Sequence, residues 1–193
     1  MLTPLERKPD LSLPPRIVAW RHEDNANAAK KQEVSVEQLR ALGVELSHFP
    51  TTPDTLEERL ELLSNHKGYV HRDMLILSHD TDVDGWLPRI WAEHMHPDDE
   101  IRYVLEGDAY MDVRDRDDNW VRFHLVPGIL LVVPAGIYHR FKLTEGDYVK
   151  IVRLFKSKAG WISTNRSAES DQDQAHRTYL KMFPKNQSGC KDN

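Results

Sequence analysis

The sequence predicts an all-β fold, an antiparallel sandwich or barrel, with a few short helices at its N-terminus and periphery. From residue 73 onward the chain breaks into short, evenly spaced runs of β-type residues, each bounded by Gly, Pro or Asp. The chain has 193 residues, which is close to the size at which one hydrophobic core is sufficient. We therefore expect a single domain over residues 1–193, with a barrel core at about 70–160.

Two helices are predicted before the β region. Ser35–Gln38 has the spacing of a capping box, and Gly43 supplies the end of this first, short helix. A second helix is predicted over Pro53–Asn65, because leucines at i, i+4 and i+7 make one apolar stripe. Beyond these helices the hydrophobic period changes from about 3.6 to 2, as expected on entering a sheet.

The β-type runs are predicted strands, and they are Met74–Ser78, Ile101–Leu105, Ala109–Arg114, Trp120–Leu125, Ile129–Val133, Tyr138–Leu143 and Tyr148–Phe155. Asp80–Gly85 begins like a calcium-binding loop, but Trp91 occupies the twelfth position, where a bidentate Glu is needed. We interpret it as a turn between strands. Thr164–Asn193 is predicted to be a loosely packed polar tail with a short helix at Gln174–Met182.

Composition argues against several classes of function. Lys and Arg total 26 against 31 Asp and Glu, a formal net charge of −5, so we expect no nucleic-acid partner. No apolar run approaches the roughly 20 residues of a membrane helix, and residues 1–15 lack the apolar core of a signal peptide. The single cysteine, Cys190, fits a reducing compartment. We expect no membrane contact and a cytoplasmic location, extending to the nucleus if the source is a eukaryote.

The candidate chemistry lies in one cluster of residues. His94 and His96 are two positions apart, so on a strand both imidazoles point to the same face. Glu100 follows after four residues, far enough for a bend to bring its carboxylate to the same point. His139 follows a turn containing Pro and Gly that would direct its side chain inward. These four residues are candidate metal ligands, and the other seven histidines have no assigned chemistry.

The spacings around this cluster resemble the two signatures of the cupin superfamily. Glu100 is followed by Gly107 after six residues, and Gly128 is followed at intervals of six, two and three by Pro134, Gly136 and His139. The resemblance implies a double-stranded β-helix, or jelly-roll barrel, with a three-His, one-Glu metal centre in its interior. The sequence departs from the signatures at Pro88, where Gly is usual, and at Leu143, where Asn is usual.

Longer stretches resemble the acireductone dioxygenase family within that superfamily, over about Arg16 to about Asn165. They are Ser35–Leu39, Glu93–Tyr103, Asp112–Asp115, Pro134–Phe141 and Arg153–Phe155. The family commonly has Gly-Ser-Gly where Gly107-Asp108-Ala109 stands. This departure touches no candidate ligand.

The resemblance implies an enzyme of methionine salvage that acts on 1,2-dihydroxy-3-oxo-5-(methylthio)pent-1-ene, bound as its enediolate through two oxygens. Dioxygen then yields 4-methylthio-2-oxobutanoate and formate in the iron form, or 3-(methylthio)propanoate, formate and carbon monoxide in the nickel form. It also implies a monomer with one Fe²⁺ or Ni²⁺ per chain, held by His94, His96, Glu100 and His139.

Further residues are candidates around this site, Arg102 and Arg153 from the same resemblance and the others from their positions in the sequence. Arg102 and Arg153 would hold the substrate anion, although each could instead form a structural salt bridge. Phe141 and Trp161 would enclose the methylthio end, or would be ordinary core aromatics. Glu93 would orient an imidazole, or would be an exposed strand carboxylate.

Two other functions remain open. Another metal-dependent cupin, such as a thiol or diketone dioxygenase or a sugar isomerase, would share the ligands but not the pocket. A non-catalytic cupin would bind a small molecule or a protein. The enzymes require a bound metal ion, whereas the binding module tolerates its absence.

Overall fold

The computed structural model describes residues 17–22, 32–49, 53–82, 85–157 and 162–185. Within these ranges the strands are β1 Ala19–His22, β2 Glu45–His48, β3 His71–Leu77, β4 His94–Met95, β5 Glu100–Gly107, β6 Ala109–Arg114, β7 Trp120–Leu125, β8 Ile129–Val133, β9 His139–Leu143, β10 Val149–Phe155 and β11 Thr164–Asn165. The helices are α1 Val36–Ala41, α2 Pro53–Lys67, α3 Trp86–Trp91 and α4 Gln174–Met182. None of these helices is long and apolar enough to cross a membrane.

The described strands form two antiparallel sheets. One has the order β1-β7-β6-β9-β4-β11 and the other β2-β8-β5-β10-β3. Most neighbours in the sheets are distant in the chain, as β5 shows by pairing with both β8 and β10, whereas β6 and β7 follow each other directly. Together with the peripheral helices, this arrangement confirms the predicted all-β jelly-roll fold class.

Local chemistry accounts for the first two helices, and both predictions are confirmed. Ser35 accepts a hydrogen bond from the Gln38 backbone N–H at 3.2 Å, and the Gln38 side chain accepts one from the Ser35 N–H at 2.8 Å. Gly43 then adopts a φ of +80°, which ends α1 at low steric cost. The second helix extends two residues beyond the predicted end, to Lys67.

The core lies between the two sheets. Strand β5 directs Arg102 and Val104 inward, while Ile101 and Tyr103 face outward and pack beneath α2. Both faces of β5 are therefore buried from Glu100 to Val104, although this stretch includes the charged Glu100 and Arg102. The interior is filled by fully buried residues from both sheets, among them Met111, Phe123, Leu131, Phe141 and Ile151. Burial of this apolar surface is the main stabilising force in such a fold.

The segment after β3 differs from the sequence prediction. In place of a turn leading directly to a strand, a 3₁₀ turn at His79–Thr81 is followed by the helix α3. The Asp82 carboxylate accepts hydrogen bonds from the backbone N–H groups of Trp86 at 2.6 Å and Leu87 at 3.0 Å. Pro88 lies in the first turn, where its missing N–H costs no helical hydrogen bond.

The C-terminal segment packs against the barrel, so the prediction of a loosely packed tail is wrong for residues 164–185. The predicted helix is present with the expected bounds, and its Tyr179 is only 4% exposed. The Phe183 ring lies against Gly43, where a Cβ atom would come within 2.5 Å of it. The segment is mainly polar in composition, but the rings of Tyr179 and Phe183 pack against the rest of the protein. Residues 186–193, including Cys190, lie outside the described part of the chain.

Candidate metal centre

The two sheet strands β4 and β9 bring two candidate ligands together. His94 and His139 lie directly opposite each other in the antiparallel register, with ring centroids 4.4 Å apart. His96 follows immediately after β4, and its ring lies 5.2 Å from that of His94 and 5.3 Å from that of His139. The available ligand nitrogens of the three histidines all lie within 4.8 Å of one another.

The opposite sheet contributes the carboxylate. Glu100 is the first residue of β5, and its Oε2 lies 3.3 Å from His139 Nε2 while its Oε1 lies 3.8 Å from His96 Nε2. The three histidines and Glu100 therefore converge across the barrel interior. The His94 and His96 spacing was sufficient to place these two side chains together, whereas the approach of His139 and Glu100 required the closed sheet arrangement.

Backbone carbonyl groups orient all three imidazoles. His94 Nδ1 lies 2.7 Å from the Ala92 carbonyl oxygen, and His139 Nδ1 lies 3.0 Å from that of Ile137. His96 Nδ1 lies 2.8 Å from the Ile162 carbonyl oxygen. A carbonyl only accepts, so each Nδ1 carries the proton and each Nε2 presents a lone pair. This is how proteins commonly fix metal-binding histidines.

Burial controls the charge of these groups. It lowers the pKa of His94 to about 3, with further lowering by the neighbouring His139, and it also lowers the pKa of His96. Burial on its own would raise the pKa of Glu100, but the Arg102 guanidinium holds that pKa well below its usual value. Near neutral pH, His94 and His96 are neutral and Glu100 is anionic.

These residues fit a divalent transition-metal ion. Glu100 Oε2 and His139 Nε2 are buried and face each other, yet neither has a hydrogen-bond partner in the described part of the protein. With the His139 proton on Nδ1, two lone pairs meet there, which is unfavourable unless a cation lies between them. Three imidazole nitrogens and one carboxylate oxygen are a donor set that divalent first-row transition metals accept.

Arg102 lies beside this cluster on the inner face of β5. Its Nη2 donates a hydrogen bond to Glu100 Oε1, and its Cζ lies 4.7 Å from the centroid of the Phe141 ring. Arg102 is only 2% exposed, and its Nε and Nη1 have no hydrogen-bond partner within the described residues. Two buried donors are thus available for an anionic ligand next to the cluster.

Arg153 lies opposite Arg102 in the β5–β10 register, but its donors are engaged elsewhere. Its Nε donates to Asp73 Oδ1 at 2.9 Å and its Nη2 to Asp73 Oδ2 at 2.6 Å. The geometry is that of a structural salt bridge between β10 and β3. A substrate-binding role for Arg153 stays a prediction.

The two predicted pocket aromatics differ in what the structure describes. Phe141 is fully buried, and it lines one wall of a cavity of about 510 Å³ together with Leu87, Pro88, Trp91 and Leu143. Phe141 therefore contacts the Arg102 guanidinium and also lines this cavity. Trp161 lies outside the described residues, so its contribution stays a prediction.

Glu93 forms salt bridges with two arginines, which neither sequence interpretation predicted. Its carboxylate receives two hydrogen bonds from Arg114, both at 2.9 Å, and one from Arg166 at 2.7 Å. The residue therefore orients no imidazole through its side chain and is not simply exposed. Instead it ties the segment before β4 to β6 and to the C-terminal segment. The distance between these partners in the chain hid the network from sequence analysis.

Comparisons with known proteins agree on one family. The model of the ARD/ARD' family matches residues 19–163. The acireductone dioxygenase of Emericella nidulans is 39% identical over 151 residues, which cover 77% of this chain and 82% of that protein. The acireductone dioxygenase of Xenopus tropicalis is 38% identical over 178 residues, covering 86% and 97%, and that of Ciona intestinalis is 41% identical over 169 residues, covering 82% and 91%.

A solved structure shares the fold. It is described as acireductone dioxygenase from Bacillus anthracis with cadmium ion in active center, and it superposes with a TM-score of 0.66. The two chains are 23% identical, and the match covers 77% of this chain and 97% of the other. At this level of identity the likeness supports the architecture of the barrel alone.

Proposed function

The chain belongs to the ARD/ARD' family, and we propose from this membership and the geometry of the cluster that it is an acireductone dioxygenase. The enzyme is a metal-dependent dioxygenase that oxidises an acireductone with dioxygen. The observation that carries the proposal is the inward-facing set of three oriented imidazoles and one carboxylate, beside two Arg102 donors that have no partner among the residues described.

His94, His96, Glu100 and His139 would hold one Fe²⁺ or Ni²⁺ ion. Such an ion, when bound, supplies Lewis-acid character and open positions for chelation by two substrate oxygens. The neutral imidazoles and the single carboxylate leave the site with about one net positive charge, which favours an anionic ligand. The side chains themselves undergo no redox change, and they contribute orientation and electrostatics.

Arg102 would bind the substrate as its enediolate. Its Nη2 is engaged with Glu100, so the buried Nε and Nη1 groups are the donors that remain for substrate oxygen atoms. Because these donors lie in a site of low dielectric, their interaction with an anion is stronger than in water. Phe141, stacked against the same guanidinium, limits its movement and keeps water from that side.

We propose that the metal ion decides the products. With Fe²⁺ we expect 4-methylthio-2-oxobutanoate and formate, and with Ni²⁺ we expect 3-(methylthio)propanoate, formate and carbon monoxide. The protein is expected to act as a monomer in the cytoplasm, and also in the nucleus of a eukaryote, without nucleic-acid or membrane partners.

Anaerobic reconstitution of the metal-free protein tests this function. The protein is loaded with Fe²⁺ or Ni²⁺, mixed with acireductone and dioxygen, and the products are identified by mass spectrometry and gas analysis. We expect turnover with either ion and none in the His96→Ala variant, which loses a ligand nitrogen. His124→Ala is the matched control, since this histidine lies partly exposed on β7, outside the cluster. Failure of both ions to support consumption would redirect the assignment to another cupin activity.

A further inference from the structure

Little backbone pairing joins the two strands that carry the candidate histidines. Strand β4 has two residues, and its register with β9 consists of the single pair His94 and His139. One further backbone hydrogen bond runs from the Gly136 N–H to the His96 carbonyl oxygen, at 2.9 Å. Metal chelation needs its ligands held to within about 0.5 Å. Side chains must therefore contribute to the relative position of the two strands.

Arg140 lies in a position from which its side chain can hold the two strands relative to each other. It follows His139 on β9, so its side chain points to the opposite face of the sheet, where the residue is 7% exposed. Its Cζ lies 4.0 Å from the centroid of the Trp91 ring. Trp91 is the last residue of α3, three positions before His94. A cation–π contact thus connects the neighbour of one candidate ligand to the helix that leads into the other two.

The guanidinium of Arg140 is also held from two other directions. Its Nε donates to Asp112 Oδ2 at 2.8 Å, and the Trp120 ring centroid lies 4.2 Å from its Cζ. Asp112 lies opposite Arg140 on the neighbouring strand β6 and is 1% exposed. A flat guanidinium can donate to a carboxylate and stack on aromatic rings at the same time, which a lysine ammonium cannot do in the same way.

We propose that Arg140 is a positioning residue of the metal centre. Through the Trp91 ring it holds the α3–β4 segment, with His94 and His96, in register with the strand that carries His139. The proposal deepens the proposed function and requires from it only that the cluster binds a divalent ion. Neither Arg140 nor Trp91 touches the ion, and both act on its ligands through the backbone.

Arg122 provides a matched control for this arrangement. It donates two hydrogen bonds to the same Asp112 carboxylate, at 2.6 and 2.8 Å, and it is likewise nearly buried. It belongs to β7, which carries no candidate ligand, and its contact with the Trp91 ring is long, with its Cζ 5.9 Å from the ring centroid against 4.0 Å for Arg140. Arg122→Lys therefore disturbs the same buried carboxylate without releasing the α3–β4 segment from β9.

The experiment measures the dissociation constant of Ni²⁺ by competition with a chelator, together with the urea unfolding of each metal-free variant. Arg140→Lys and Trp91→Leu are expected to raise that dissociation constant by about 10- to 100-fold, the loss that is typical when a residue that holds metal ligands in place is removed. Arg122→Lys should lower the unfolding midpoint but keep the dissociation constant within about twofold. Trp91→Phe, which retains an aromatic ring, should recover most of the affinity that Trp91→Leu loses.

A spectroscopic readout separates positioning from stability. The visible absorption of the Co²⁺-loaded protein depends on ligand geometry, so it should change in Arg140→Lys and stay unchanged in Arg122→Lys. Equal Ni²⁺ affinity in the wild type, Arg140→Lys and Trp91→Leu would overturn the proposal, as would equal weakening by Arg122→Lys. If Arg140→Lys does not fold, Trp91→Leu decides, because that side chain is 36% exposed and tolerates change more easily. Normal Ni²⁺ binding without acireductone turnover would count against the proposed function alone.

Discussion

At the scale of single residues, the contrast between Arg102 and Arg153 is the most informative. They lie opposite each other on adjacent strands, and the sequence suggested one role for both. Arg153 has two donors on Asp73, whereas Arg102 has one on Glu100 and two without a partner among the described residues. Buried donors left unpaired are costly, and their retention indicates a ligand that satisfies them.

Replacing Arg102 by Lys should therefore lower kcat/KM by about 100-fold or more, because a lysine cannot supply the directed donors that stabilise developing charge. Arg153→Lys is the comparison, and it should reduce stability more than turnover. Steady-state kinetics of both variants, with metal content measured by elemental analysis, checks the difference. Equal kinetic losses in the two variants would restore the shared substrate role that the sequence suggested for Arg153.

At the scale of elements, α4 and the turn before His139 are packed closely enough to restrict each other. Gly136 has a φ of +80°, and a Cβ atom on it would lie 2.3 Å from the Ala175 carbonyl oxygen. The His176 side chain contacts the Gly136 carbonyl oxygen through Nδ1 at 2.8 Å. Helix α4 is thus seated on the turn that leads to a candidate ligand.

Gly136→Ala should destabilise the protein by more than the cost of about 1–2 kcal/mol for a left-handed alanine, because the added methyl group also displaces α4. Gly68→Ala is the control, since Gly68 has a φ of +73° but a Cβ atom added to it would meet no described atom within 4 Å. Urea unfolding followed by tryptophan fluorescence measures both. Indistinguishable midpoints for the two variants would show that α4 moves away without cost.

At the scale of the whole molecule, folding into the barrel shifts the pKa values of the interior cluster away from those of the unfolded chain. The pKa values of His94 and His96 are lowered by burial, and that of Glu100 is lowered by Arg102 against the effect of burial. The unfolded chain therefore binds more protons than the folded protein below the usual histidine pKa of 6.5. The stability associated with these groups is present above that pH and is lost as the pH falls.

We expect the urea midpoint of the metal-free protein to decrease as the pH is lowered from 6.5 to 5, because this range lies inside the window between the usual histidine pKa of 6.5 and the lowered pKa of His94 at about 3. His94→Asn removes one of the shifted groups and should flatten this dependence. Equilibrium unfolding at several pH values in the presence of a chelator measures it. A midpoint that is constant or rises on acidification would contradict the assigned sign.

Patterns between near neighbours were enough to predict the fold class, the capped helix α1, the bounds of β6, β7, β8 and α4, and the inward pairing of His94 with His96. Alternation along a strand and hydrogen bonds at helix ends depend on residues two to four positions apart, so local sequence is sufficient to specify them. The resemblance of longer stretches supplied the candidate ligand set.

Which charged side chains form ion pairs is determined only by the tertiary structure of the closed barrel. Arg153 and Asp73 are 80 positions apart, and Glu93 and Arg166 are 73 apart. Whether such residues become neighbours depends on the order of strands in the two sheets, which no local pattern encodes. The packing of the C-terminal segment was missed for the same reason. Its composition is polar, like that of a solvated tail, and local sequence does not show that Tyr179 and Phe183 contact residues far away in the chain. Long-range contacts depend on the fold as a whole, so the partner of a given residue can be identified only from the tertiary structure.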